Sequence, residues 1–230
     1  MRRSQEAELM DSESLSAAEL AETYRGLWAT HRWLGNTATV LRLLRQEMDS
    51  KSVVNAGRVL RVLDIGCGQG VLLVEIREKL GMDLVGFELR PAPPDAPVPI
   101  SCGNAATDRL PGADVALCVM TAHHLSETEL IAMIRNVAQG CRRLILLDLV
   151  RHPAPLALFR LFVAPFLGHI NATDGAISIR RAFTVAEMRA IVQEALYGDP
   201  GPQRPVRRVR HTVAPLLIRQ VVDIAWGPIG

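Results

Sequence analysis

An α/β fold built on a mostly parallel sheet follows from three features of the sequence. From Leu60 onward, short apolar runs alternate with helical patterns. Those runs are nearly continuous in apolar character, as strands covered on both faces must be. The first of them leads directly into Gly66-Cys67-Gly68-Gln69-Gly70, a turn that opens a helix. The 230 residues, 49% hydrophobic and 22% charged, are enough for one such domain with a full core.

In chain order, residues 1 to about 13 are polar and acidic and are expected to fray. Ser16 caps a first helix in which Leu20, Tyr24, Leu27, Trp28, His31 and Leu34 recur at helical spacing, and Gly35-Asn36 ends it. A second helix runs from about Thr37 to Asp49, with a polar connection from Ser50 to Gly57. Residues 1–57 therefore read as an N-terminal helical segment, either a lid over a ligand crevice or simple packing against the side of the domain. Residues 58–230 form the ligand-binding domain.

The expected strands are Leu60–Asp64, Leu84–Glu88, Pro99–Cys102, Asp114–Met120 and Leu144–Val150, with helices at Gly70–Leu80 and Ser126–Gln139. The second helix opens with Ser126 as cap and acids in its first turn, which the helix dipole favours. Five prolines between Pro91 and Pro99 exclude a helix there. Residues 151–183 look like a lid-like insertion, with an apolar helix at Leu156–Leu167 that lines a pocket or makes a homodimer contact. It is too short to span a bilayer. A helix from Thr184 carries the capping box Thr184/Glu187, and strands at Val206–Thr212 and Leu216–Ile224 complete a Rossmann-like sheet of seven.

Composition narrows the function classes. A formal charge of +2 does not imply a nucleic-acid partner, and Arg204, Arg207, Arg208 and Arg210 read as a solvated strand edge or loop. Cys67, Cys102, Cys118 and Cys141 lack metal or redox spacing and are expected to be free thiols. With no apolar leader and no run of transmembrane length, a cytoplasmic protein with no membrane partner is expected.

The glycine turn carries most of the functional information. Glycines at 66, 68 and 70 let backbone N–H groups approach a ligand at the positive end of the next helix. A dinucleotide fingerprint needs its third glycine where Val71 stands, so the spacing is GxGxG. Glu88 ends the next strand about twenty residues on, where a carboxylate can accept ribose hydroxyls.

With Asp64 upstream, this segment resembles motif I of the class I S-adenosylmethionine (SAM)-dependent methyltransferases. The resemblance implies SAM as cofactor, with Asp64 orienting its methionine end, the 66–70 loop approaching it closely and Glu88 holding the ribose. Asn104 in Gly103-Asn104-Ala105 stands where the family often has an acid beside the adenine amine, and its amide oxygen can accept the same N–H. The implied cofactor residues are Asp64, Gly66, Cys67, Gly68, Gly70, Glu88, Leu89, Asn104, Ala105 and Met120. The segment Met120-Thr121-Ala122-His123-His124-Leu125 resembles the family's segment after the fourth strand, which faces the methyl group. His123 or His124 could therefore be a general base, or one of them a capping or core residue, and His169 is a third candidate on the covering segment.

Tyr24-Arg25-Gly26-Leu27, Arg32-Trp33-Leu34-Gly35 and Arg180-Arg181-Ala182-Phe183-Thr184 resemble small-molecule methyltransferases associated with type III polyketide synthases. There Arg180 or Arg181 is expected to pair with Asp174 or Asp148. The carboxylates that hold Mg²⁺ in catechol-type enzymes have no counterpart after Thr121-Ala122, so no metal is expected. The reading is methyl transfer to a small apolar acceptor, most plausibly O-methylation of a phenolic or enolic polyketide-type product. The alternatives are C-methylation of an aromatic or quinone precursor, or a non-catalytic SAM-binding protein on the same scaffold.

Overall fold

The computed structural model describes residues 1–11, 15–49, 57, 59–199, 201 and 204–227. Helices α1 (Ala17–Trp33) and α2 (Asn36–Met48) come first, then β1 (Arg61–Ile65), α3 (Val71–Leu80), β2 (Asp83–Glu88), β3 (Ile100–Cys102) and β4 (Ala113–Val119). They are followed by α4 (Glu127–Gly140), β5 (Cys141–Asp148), α5 (Pro153–Phe162), α6 (His169–Arg181), α7 (Val185–Tyr197), β6 (Val206–Val213) and β7 (Gln220–Trp226).

The seven strands form one sheet in the order β3-β2-β1-β4-β5-β7-β6. All pairs are parallel except β5 with β7 and β7 with β6. The order reverses direction between β1 and β4, and in such sheets the crevice for a ligand opens there, at the strands' carboxyl ends.

Strand side chains alternate between the two faces, and the core is split accordingly. Leu63, Ile65, Ala116, Cys118, Leu144 and Leu146 pack with residues of α4 and α7 on one face. Val62, Val115, Leu117, Ile145 and Leu147 pack with residues of α2 and α3 on the other. Ser16, Ser126 and Thr184 each close a capping box with Glu19, Glu129 and Glu187, so three helix starts are set by local chemistry.

The expected apolar helix at 156–167 is instead α5, starting at Pro153 and ending at Phe162, followed by a single 3₁₀ turn at Ala164–Phe166. Prolines 153 and 155 are tolerated because first-turn N–H groups have no intrahelical acceptor. Residues 168–175, read as part of a covering segment, begin α6. Gly175 lies inside that helix because Phe159 presses on it: a Cβ at Gly175 would stand 2.3 Å from the Phe159 ring. The basic run lies on the outer strand β6, with Arg207 and Arg210 exposed. Arg204 departs from that picture, being buried and donating to the carbonyls of Ala138, Cys141 and Gly227.

Residues 1–10 are not frayed. Arg3 donates from Nε to the Arg181 carbonyl (2.6 Å) and from Nη2 to the Leu125 carbonyl (2.7 Å), and it lies over the Phe183 ring. Leu9 and Met10 donate their N–H groups to the Asp174 carboxylate at 2.6 and 2.9 Å. Composition missed this because the anchors are charge-assisted bonds to residues far along the chain. Arg180 pairs with Glu6 (2.7 Å), where Asp174 or Asp148 was expected. Of the expected 50–57 connection, residues 50–56 lie outside the described residues.

Candidate functional site

The crevice wall is made by the ends of β1, β2 and β4. Gly66, Gly68 and Gly70 all adopt positive φ (72°, 53° and 76°), which glycine reaches without a Cβ penalty. At Gly66 the need is also spatial. A Cβ there would lie 2.3 Å from Thr121 Cγ2, and Thr121 Oγ1 donates to the Gly66 carbonyl at 3.3 Å, joining the turn after β1 to the turn after β4. Gly68 lies under Tyr24 of α1, whose ring would be 3.6 Å from an added Cβ. Gly70 precedes α3 with no side-chain cap, leaving the helix's first N–H groups for other acceptors.

Three carboxylates or amides stand around this turn. The Glu88 carboxylate accepts from Gly68 N–H (2.7 Å) and from its own neighbour Leu89 N–H (2.8 Å), so both of its oxygens keep a lone pair for another donor. Asp64 is buried, and burial together with the Glu88 charge pushes its carboxyl up to about 8. Asn104 Oδ1 accepts Ala106 N–H at 2.9 Å, so this residue braces its own turn, with Ala105 inside it. Leu89 is exposed and apolar, and the half-buried Cys67 thiol is pushed up by burial and by the Asp64 and Glu88 charges, which makes it a poor nucleophile. Met120 has a φ of 56°, uncommon for a residue with a side chain, at the turn that carries the His pair.

The His pair occupies one 3₁₀ turn, Ala122–His124, after β4. His123 is buried. Its N–H donates to Asp148 Oδ2 (2.8 Å) and its Nδ1 is 2.7 Å from Asp148 Oδ1, so one carboxylate holds both backbone and ring. Its Nε2 faces Glu8 Oε1 at 3.6 Å. Burial alone would lower the imidazole, but Asp148 and Glu8 outweigh it and raise it to about 9. For Glu8 the balance mirrors this: burial would raise its carboxyl, and His123, His124 and Ser178 bring it down to about 2. His124, more exposed, has Nε2 3.8 Å from the same Glu8 oxygen, and the two rings lie 4.3 Å apart. The structure thus brings His123 and His124 together and places His169 on the first turn of α6, exposed.

Two residues of this constellation were missed from sequence. Glu8 lies in a polar tail with no local pattern to mark it. His31 was read only as part of the periodicity of α1. Burial lowers its imidazole to about 4, with the His123 charge adding to the fall and Asp148 opposing it, so it is neutral at neutral pH. The signal for Asp148 was present, since it ends β5 beside the strand that carries the His pair.

A family model described as a methyltransferase domain matches residues 28–171. Among curated proteins none matches the sequence. Among solved structures, plantazolicin methyltransferase with a desmethyl substrate analogue and S-adenosylhomocysteine (SAH) superposes with a TM-score of 0.55 at 12% identity, over 74% of this chain and 76% of that one. Magnesium protoporphyrin IX methyltransferase from Synechocystis, with bound SAH, gives 0.51 at 17% identity over 94% and 90%. An O-methyltransferase family 2 protein from Planctomyces limnophilus, in complex with apigenin, gives 0.56 at 12% identity over 93% of this chain and 63% of its own.

Proposed function

The chain belongs to the methyltransferase-domain family as a SAM-dependent enzyme, and from that premise we propose that it O-methylates a small, largely apolar phenolic or enolic acceptor of polyketide type. The observation that carries the reading is the juxtaposition at the β1/β4 switch point. A glycine-rich turn flanked by Asp64 and Glu88 meets the turn of the His pair through Gly66 and Thr121, under α1.

The chain's own residues fit the cofactor. Gly66 and Gly68 leave the backbone bare, Glu88 keeps acceptor capacity for two ribose hydroxyls, and the buried Asp64 is raised by burial and by Glu88, with no cation among the described residues offsetting them, so it suits a ligand's ammonium. Cys67, Gly70, Leu89, Asn104, Ala105 and Met120 complete the proposed contacts. When bound, SAM supplies an electrophilic methyl on a sulfonium, so the protein's task is to align a nucleophile and accept a proton.

Both ring nitrogens of His123 face carboxylates, Asp148 at 2.7 Å and Glu8 at 3.6 Å, and these raise its imidazole to about 9, so we assign it a positioning role and rank it behind the other histidines as the proton acceptor. His31, whose imidazole burial lowers to about 4, is our proposed base, with His124 at the crevice edge as the second candidate and His169 on the cover as the third. Trp28 packs with the core beneath α1, and Phe159 and Val163 form an apolar cluster with Ala176 and Ile179 of α6; the apolar acceptor is proposed from these apolar covering segments. Residues 1–57 and 151–183 are the proposed lid.

The test has two stages. Calorimetry should detect SAH binding to the purified chain, and no binding at millimolar ligand would overturn the reading. Incubation with SAM and a panel of resorcinols, pyrones and quinols should then add one methyl by mass. Attachment at carbon would instead favour the C-methylation alternative. His31→Ala should slow turnover at least tenfold while SAH affinity holds, and unchanged turnover removes the base assignment.

A further inference from the structure

We infer that Glu8, His123 and His124 form a binding site for a divalent transition-metal ion, zinc foremost, that pins the N-terminal segment onto the rim of the crevice. One ligand atom from each residue converges there, all within 4.8 Å of one another, and the Nε2 atoms of both rings face Glu8 Oε1. A tetrahedral ion with nitrogen and oxygen ligands at ~2.0–2.1 Å holds those atoms roughly 3.4 Å apart. The two His–Glu8 separations, 3.6 and 3.8 Å, are within a few tenths of that spacing.

The residues behind the ligands are in place as well. A metal-bound histidine is normally oriented by a carboxylate on its other ring nitrogen, and Asp148 holds His123 Nδ1 at 2.7 Å, which directs Nε2 toward Glu8. Glu8 is itself held by the Ser178 hydroxyl at 2.7 Å. Two imidazoles and one carboxylate suit zinc and its transition-metal neighbours, whereas Mg²⁺ and Ca²⁺ prefer all-oxygen sets. The three protein ligands leave a fourth position open. A cavity of about 190 Å³ lined by Arg3, Ser4, His123, His124 and Arg181 lies beside the pair and provides an entry path. This site differs from the catechol-type arrangement considered above, because one ligand comes from outside the sheet, on the docked N-terminal segment.

The competing account is an ion pair only, with a proton on His123 Nε2 where the metal would sit. To separate the two, the full-length protein is stripped with a chelator and titrated with Zn²⁺ against a chromophoric competitor, and with Co²⁺ as an optical probe. The expected result is one ion per chain, a Co²⁺ spectrum of tetrahedral nitrogen–oxygen ligation, and slower amide exchange at Leu9 and Met10 on loading. His124→Ala, at a partly exposed position that the fold does not need, and Glu8→Ala should each weaken binding by at least the roughly 10- to 100-fold that loss of a partner behind a ligand causes. Cys102→Ser and His169→Ala should leave it unchanged. No binding at micromolar metal, or binding that survives both ligand substitutions, overturns the inference. SAH affinity measured on the same samples keeps this result separate from the methyl-transfer reading.

Discussion

The wall of the crevice and its cover meet where His123 faces Glu8 but are held by different forces. The wall, formed by the ends of β1, β2 and β4, is fixed by parallel backbone pairing and by glycines that no side chain could replace. In the cover, residues 1–11 are tied to α6 by side-chain carboxylates and guanidinium groups that reach across long sequence separations. Backbone pairing is cooperative with the whole sheet, whereas each charged anchor can be removed alone. Removing one anchor should therefore loosen the N-terminal segment before it opens the sheet.

Four substitutions or conditions would break or sharpen that contrast. Asp148→Asn should have the largest effect, because it strips the buried His123 ring and backbone of the carboxylate that holds both. A loss of about 3–5 kcal/mol is expected in denaturant unfolding, and a loss below 1 kcal/mol would show that His123 is not held as a charge. Gly66→Ala tests the wall. A positive φ and the clash with Thr121 should cost about 2–4 kcal/mol and abolish SAH binding, while amide protection at Leu9 and Met10 stays as it was.

Glu8→Ala tests the cover, with about 1–3 kcal/mol lost and faster exchange at Leu9 and Met10. Unchanged exchange there would mean the segment is held without Glu8. The last test varies pH. The folded-state pKa of Asp64 is raised, so the folded protein keeps a proton that the unfolded chain has lost. Its contribution to stability therefore declines as pH rises from about 4 to about 8. A ligand ammonium selects the carboxylate form, so SAH affinity should rise by up to about tenfold per pH unit between pH about 6 and 7.5. Asp64→Asn should flatten that rise, and an equal slope in both proteins would place the titrating group elsewhere.

The legible part of the site was the part made of local pattern. Gly66, Gly68 and Gly70 announced a strand-to-helix turn, Glu88 followed at strand spacing, and the three capping boxes marked helix starts. The helix α6 was illegible because Asn171, Thr173, Asp174 and Gly175 are weak helix formers, and only the packing of Phe159 against Gly175 explains the glycine. The docking of residues 1–10 was illegible for another reason: Arg3, Glu6 and Glu8 look like any solvated tail until Leu125, Arg180 and His123 are seen beside them.

Period-two and helical patterning by themselves determined the α/β class, the strand sequence and the glycine turn, because those features depend on neighbours a few residues apart. Tertiary structure alone decided the surroundings of each histidine. His123 is bound by Asp148 and Glu8, His124 shares the Glu8 oxygen, and His31 comes in on α1 as a neutral imidazole. An imidazole's protonation state is set by the charges and the dryness around it, and those come from four separate parts of the chain.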